Sequence, residues 1–220
     1  MASLENKFHK STFDKIDPER KQRIIDVAIS HFAKYGFKAT NINNIASEAG
    51  ISIGSMYSYF ESKDDLYLTV GDYGYSLLAR ALSEVNRKQK DHLKIFEELL
   101  RISRRYALDY PELNQVYLEM TTQGMSALSD RLSYQFEEIT ANLYHSILEK
   151  AQEEGQVDPE IDIRVVSFCL DNLIMMFQYS YTSDYYRNRM KIFLGEENPD
   201  EEVLIEKVML FIKRSLAKGV

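Results

Sequence analysis

The chain has 220 residues, 45% of them hydrophobic and 28% charged, which suits one or two globular domains with room for a substantial core. A single cysteine, Cys169, excludes an internal disulfide framework and favours a reducing compartment. The net charge of −7 is unevenly spread: residues 1–60 hold eight Lys/Arg against six Asp/Glu and the remainder 19 against 28, so a mildly basic head precedes an acidic body.

The lead "MASLENKFHK" lacks the apolar run of a signal peptide. The most apolar segment, 165–181, contains Asp171, Asn172 and Gln178 and is too short to span a bilayer, so a cytoplasmic protein without membrane contact is expected. Residues 1–17 read as a flexible arm whose Lys7, Lys10 and Lys15 can reach a nucleic-acid backbone or minor groove. "DPERKQRIIDVAISHFAKYGF" then opens a helix, with Asp17 as cap and Pro18 in the first turn. Ile24, Ile25, Ala28, Ile29 and Phe32 follow at helical spacing, and Gly36 is the stop. Thr40 is placed as the cap of a second helix carrying Ile42, Ile45, Ala46 and Ala49. Ser52 caps a third, Ile53 to Phe60, and "ESKDD" leads into a fourth from Lys63 to about Val85.

Beyond residue 90 amphipathic runs are expected near 92–109, 111–123, 126–154, 162–186 and 201–218. Strand-type alternation and internal repeats are absent from the sequence. The predicted class is all-α: an N-terminal three-helix helix-turn-helix DNA-binding domain at 18–62, and a larger helical regulatory and dimerisation domain at 63–220.

The stretch "ISIGSMYSYF" at 51–60 carries hydroxyls without charge, unlike either a core helix or a solvated face. Two short helices joined by "AGIS" make a helix-turn-helix, whose second member enters the major groove by its amino-terminal end. Gly50 permits the turn and Ile51 fills the angle between the helices. Gly54 allows close backbone approach, Ser52 and Tyr59 offer hydroxyls to phosphate, and Ser55 and Tyr57 point toward base edges. Met56 and Phe60 face inward, and Lys63 adds a cation at the next helix start.

The register "ATNINNIASEAGISIGSMYSYFESKDDLYLTV" resembles the DNA-binding signature of the tetracycline-repressor (TetR) family of bacterial one-component regulators. The resemblance runs over about 20–70, from Phe32 and Gly36 through Thr40, Ile45-Ala46, Ala49-Gly50, Ser52, Gly54, Tyr57 and Tyr59-Phe60 to Lys63 and Leu66. Thr40, Ser52, Ile53, Gly54, Ser55, Tyr57, Tyr59 and Lys63 are therefore the expected DNA-binding residues. Many members carry a basic residue where Asn43 stands and a lysine where Ile53 stands. Lys38 is the only cation between Gly36 and Lys63, so Ile53 against a thymine methyl is expected to share the reading.

The resemblance implies a homodimeric transcriptional regulator, read here as a repressor, on a palindromic operator, with release by a small apolar or amphipathic ligand held in the back half. Tyr117, Met120, Phe168, Asn172, Met175 and Tyr179 are the candidate ligand-binding residues, chosen for adaptable apolar contact with one polar handle. The helices at 162–186 and 203–216 are the expected dimer contact, because the first is apolar almost all round and the second carries Leu204, Val208, Phe211 and Ile212. The competing reading is a DNA-binding or protein-interaction factor with a filled core and no inducer. The four histidines lack metal-ligand spacing and no nucleophile elbow or phosphate loop occurs, so neither a metal, a cofactor nor an enzyme activity is expected.

Overall fold

The computed structural model describes residues 8–122, 126–197 and 199–217. Lys7 of the expected arm lies outside the described residues. Within them the chain is helical, and its helices form two compact units: residues 1–77 with 112–134, and 78–111 with 135–220.

In the first unit, α1 (Ser11–Asp14) precedes α2 (Pro18–Ala39). The Asp17 carboxylate accepts from the amides of Glu19 and Arg20, and Pro18 fills the first turn, so α2 starts as its sequence predicts. Gly36, at φ 71°, kinks its end. Helices α3 (Ile42–Glu48) and α4 (Ile53–Tyr59) follow across a turn in which Gly50 adopts φ 70° and Ile51 donates its amide to Ala46. The cap of α3 is Asn41, which accepts from the Asn43 amide, and not Thr40. Ser52 caps α4 as expected, accepting from the Ser55 amide.

Helix α5 (Lys63–Ser83) begins in this unit. Its Leu66, Tyr67, Leu68 and Val70 are fully buried, with the Tyr67 ring against Phe32 and Phe37 at 4.8 and 4.9 Å. Burial of that first half ties α5 to the helices before it, and the compact unit runs on to Leu77. Helix α7 (Pro111–Thr122) completes the unit.

The second unit holds α6 (Lys94–Asp109), most of α8 (Ser126–Glu153), α9 (Ile163–Thr182), α10 (Asp184–Leu194) and α11 (Glu201–Leu216). Its core gathers Phe96 and Leu100 of α6, Tyr144, Ile147 and Leu148 of α8, Leu170, Ile174 and Phe177 of α9, and Ile205, Met209 and Ile212 of α11. Ion pairs from Arg101 to Glu202 and from Arg104 to Glu201 join α6 to the start of α11, and Glu97 of α6 holds Arg101 from within its own helix. The single helix expected at 162–186 is two: extended backbone at Ser183 (φ −104°, ψ 126°) ends α9 and starts α10. Among the described residues no helix is long and apolar enough to cross a membrane.

Candidate nucleic-acid interface

Helix α4 has a clean division of faces. Met56, Tyr59 and Phe60 are buried at 0, 7 and 0% exposure, whereas Ser52, Ile53, Gly54, Tyr57 and Ser58 are exposed. Ile53 and Tyr57 present unusually large apolar surface to solvent, one turn apart on the same face. Ser55 is half-buried, and its hydroxyl lies 2.9 Å from that of Ser52. Asn41, Asn43 and Asn44 are exposed at the beginning of α3. Together these groups form a surface of amides, hydroxyls, an isobutyl-sized side chain and a phenol, capable of both hydrogen bonds and apolar contact with base edges.

Three expected contact residues are turned to other work. Thr40 is 4% exposed, and its hydroxyl donates to Gly36 O at 2.6 Å and lies 3.1 Å from His31 O. Tyr59 points inward, its ring 5.7 Å from Phe13, because the face opposite Ile53 and Tyr57 must be buried. The Lys63 ammonium donates to the carbonyls of Phe37, Lys38 and Thr40 at 2.7, 3.2 and 3.0 Å, with the Phe37 ring 4.6 Å away. All three of its protons are thereby used on the end of α2, where carbonyls lack helical partners.

Residues that the sequence did not single out hold the surface in place. From residue 8 onward the amino-terminal segment is packed: Phe13 of α1 is 2% exposed and lies on Phe60 at 4.8 Å. Arg23 Nε donates to Ala49 O at the end of α3, and His31 Nε2 pairs with Glu48 at 2.7 Å. Glu119 of α7 accepts the Phe37 amide with both oxygens, at 2.9 and 3.1 Å. Burial, reinforced by this carboxylate, pushes the Tyr67 phenol well above its ordinary pKa.

The ligand candidates are dispersed. Tyr117 and Met120 lie on α7 in the first unit, half-buried and buried respectively. On α9 in the second unit, Met175 is half-buried and Tyr179 buried, its ring 5.6 Å from Tyr186. Phe168 is 70% exposed, so it is not a wall of an enclosed pocket within this chain. Asn172 donates to Phe168 O of its own helix at 2.7 Å. Among the described residues no group of three or more His, Cys, Asp or Glu is arranged to hold a metal.

Residues 24–70 match the family model described as bacterial regulatory proteins, tetR family. The chain is 53% identical over 55 residues to the uncharacterized HTH-type transcriptional regulator YerO of Bacillus subtilis (strain 168), a match spanning 25% of this chain and 19% of YerO. A TetR family transcriptional regulator from Chloroflexus aurantiacus J-10-FL superposes with TM-score 0.71 at 20% identity, over 96% of this chain and 99% of that one. The transcriptional regulator FadR from Bacillus subtilis, solved in complex with stearoyl-CoA, superposes with TM-score 0.68 at 17% identity, over 86% of this chain and 95% of that one. At those identities the two structures show a shared fold. The segment that matches the tetR family model contains the helices whose turn, cap and exposed face are described above, so residues 24–70 of this chain carry the helix-turn-helix segment of that family.

Proposed function

We propose that this chain is a homodimeric, DNA-binding transcriptional repressor that reads a palindromic operator with α4 and is released by an apolar or amphipathic ligand. The observation that carries the reading is the outward face of α4. Ile53, Gly54 and Tyr57 stand free on a helix whose opposite side is fully packed, just past the positive-φ turn at Gly50. The domain boundaries inferred from sequence serve this reading, with 18–62 as the DNA-binding module and 63–220 as the regulatory and dimerisation part.

Dimerisation is supported by the apolar groups that a single chain leaves bare. Val165, Phe168 and Met176 of α9 recur at helical spacing, as do Val203, Leu210 and Phe211 of α11. A second subunit applied to these stripes gives a four-helix contact and links two readers at a fixed distance, as a palindrome requires.

The stearoyl-CoA held by FadR supports a long-chain acyl thioester as the ligand class, whose apolar tail adaptable Met and Tyr side chains suit. Tyr117, Met120, Asn172, Met175 and Tyr179 remain the residues proposed to respond to it. A second reading, a filled core with no inducer, is favoured by the close burial of Tyr144, Leu148, Leu170, Ile174 and Phe177 in one cluster.

The test starts from duplexes that the purified protein selects from a random library. Tyr57→Ala should weaken the selected duplex by roughly 1–3 kcal/mol while leaving thermal stability unchanged. Stearoyl-CoA titrated into the complex should release DNA, and DNA must weaken stearoyl-CoA by the same factor. Selection of no preferred sequence sinks the DNA-reading proposal; stearoyl-CoA, fatty acids and cationic amphiphiles all leaving the complex intact favours the filled core.

A further inference from the structure

We propose that Lys10 and Thr12 are positioning residues for the recognition helix: the amino-terminal segment closes the carboxy-terminal end of α4 and thereby sets the orientation of its reading face. The inference rests on the DNA-binding reading of α4 and goes beyond it, since neither residue lies in the matched segment 24–70.

A seven-residue helix is marginal on its own, and its last four carbonyls have no partners within the helix. In this chain all four are satisfied. Met56 O accepts from the Phe60 amide at 3.0 Å, within the local turn. The other three acceptors are met from far upstream. Tyr57 O accepts from Lys10 Nζ at 3.0 Å, Ser58 O from the Thr12 hydroxyl, and Tyr59 O from the Lys10 amide at 2.8 Å. The Lys10 ammonium also sits at the negative end of the helix dipole.

The donors are themselves anchored. Thr12 and Phe13 belong to α1, and the buried Phe13 ring packs on both Tyr59 and Phe60. His9 closes the outer side, edge-on to Phe13 at 5.1 Å and 3.0 Å from the Asp14 carboxylate. The last turn of α4 carries Tyr57 and Ser58, both exposed on the reading face. Three donors on consecutive carbonyls therefore fix the backbone from which those side chains project. Loss of one donor loosens that backbone, which degrades sequence discrimination before it degrades attraction to phosphate.

Thr12→Val tests this without changing charge, and Thr12 is exposed, so the variant keeps the buried Phe13 contacts. Affinity is measured for the duplex selected by the wild type and for a random-sequence duplex of equal length, each across a salt series. The expected result is a three- to tenfold weaker selected duplex, an unchanged random duplex and an unchanged salt slope, with Thr12→Ser restoring the wild-type ratio. Lys10→Met/Thr12→Val should lower the ratio further.

Amide exchange at residues 57–60 of the free protein supplies an arm independent of DNA, and it should accelerate at least tenfold in the double variant. Unchanged exchange overturns the positioning role. So does parallel weakening of both duplexes by Thr12→Val, which would mark a direct backbone contact. If the wild type selects no sequence while exchange still accelerates, the DNA-reading proposal has failed and with it the positioning role, although the helix closure stands.

Discussion

Glu119 occupies the space that Gly36 leaves open: a Cβ at position 36 would lie 2.7 Å from Glu119 Oε1. The same carboxylate receives the next amide in the chain, that of Phe37. Position 36 thus combines a left-handed φ of 71° with a close approach from α7. Gly36→Ala is expected to meet both penalties, strain at positive φ and displacement of the carboxylate, for a loss of roughly 1–3 kcal/mol. Urea unfolding monitored by circular dichroism would read it, and a loss below the error of the extrapolation would mean that Glu119 does not constrain position 36.

Lys63 is expected to behave as a structural cation. Lys63→Met removes three donors from the carbonyls of Phe37, Lys38 and Thr40, a loss on the order of 1–3 kcal/mol in stability. The salt dependence of DNA binding should keep its slope, because no phosphate contact disappears. A slope flattened by about one unit with unchanged stability would instead place Lys63 on the DNA backbone.

Phe211 is 63% exposed on α11, beside Leu210 and Arg214 in a shallow hollow. Phe211→Glu should therefore leave the monomer fold intact while setting an unpaired charge on the proposed contact. Sedimentation velocity should show conversion from dimer to monomer, accompanied by loss of binding to a two-half-site duplex. A dimer that survives the substitution moves the contact elsewhere.

Asp171 is the one acid on the apolar stretch 165–181, and burial, with the Glu137 charge adding to it, pushes its carboxyl up to about 6. The Tyr144 hydroxyl opposes that shift as a hydrogen-bond donor to the carboxylate. A carboxyl whose folded pKa exceeds its unfolded value binds more protons when folded, so its contribution raises stability as pH falls from 7 to 4. Asp171→Asn should stabilise the protein at pH 7 by on the order of 2–3 kcal/mol and remove that part of the pH dependence. Equal denaturation midpoints for the two proteins across pH 4–7 would contradict it.

The legible parts of the fold are those with local signatures. Asp17-Pro18, Gly50 and Ser52 each act on backbone within three residues, so α2 and α4 and the turn before α4 could be read directly from the chain. Partners distant in sequence were hidden. Thr40, Tyr59 and Lys63 have polar tips that read as outward-facing, yet Thr40 and Lys63 satisfy main-chain carbonyls at the end of α2, and the Tyr59 ring fills the side of α4 opposite its exposed face. The break at Ser183 lacks Gly and Pro, and its only trace is the Ser183-Asp184 pair, a helix-start signature inside an apparently continuous run. The apolar character of Phe168 suits a subunit contact as well as a ligand wall, and only its exposure separates the two.

The donors that close α4 grip carbonyls at 57–59, not side chains. Substitutions at Ile53, Tyr57 or Ser58 therefore leave the grip untouched, provided the backbone still forms a helix. The reading face is free to drift toward a new sequence by single replacements, with no compensating change in the segment that holds it. A retargeting library confined to these exposed positions should retain folded members at high frequency. Transplanting α4 alone into a relative with a different amino terminus would leave its final turn unsupported.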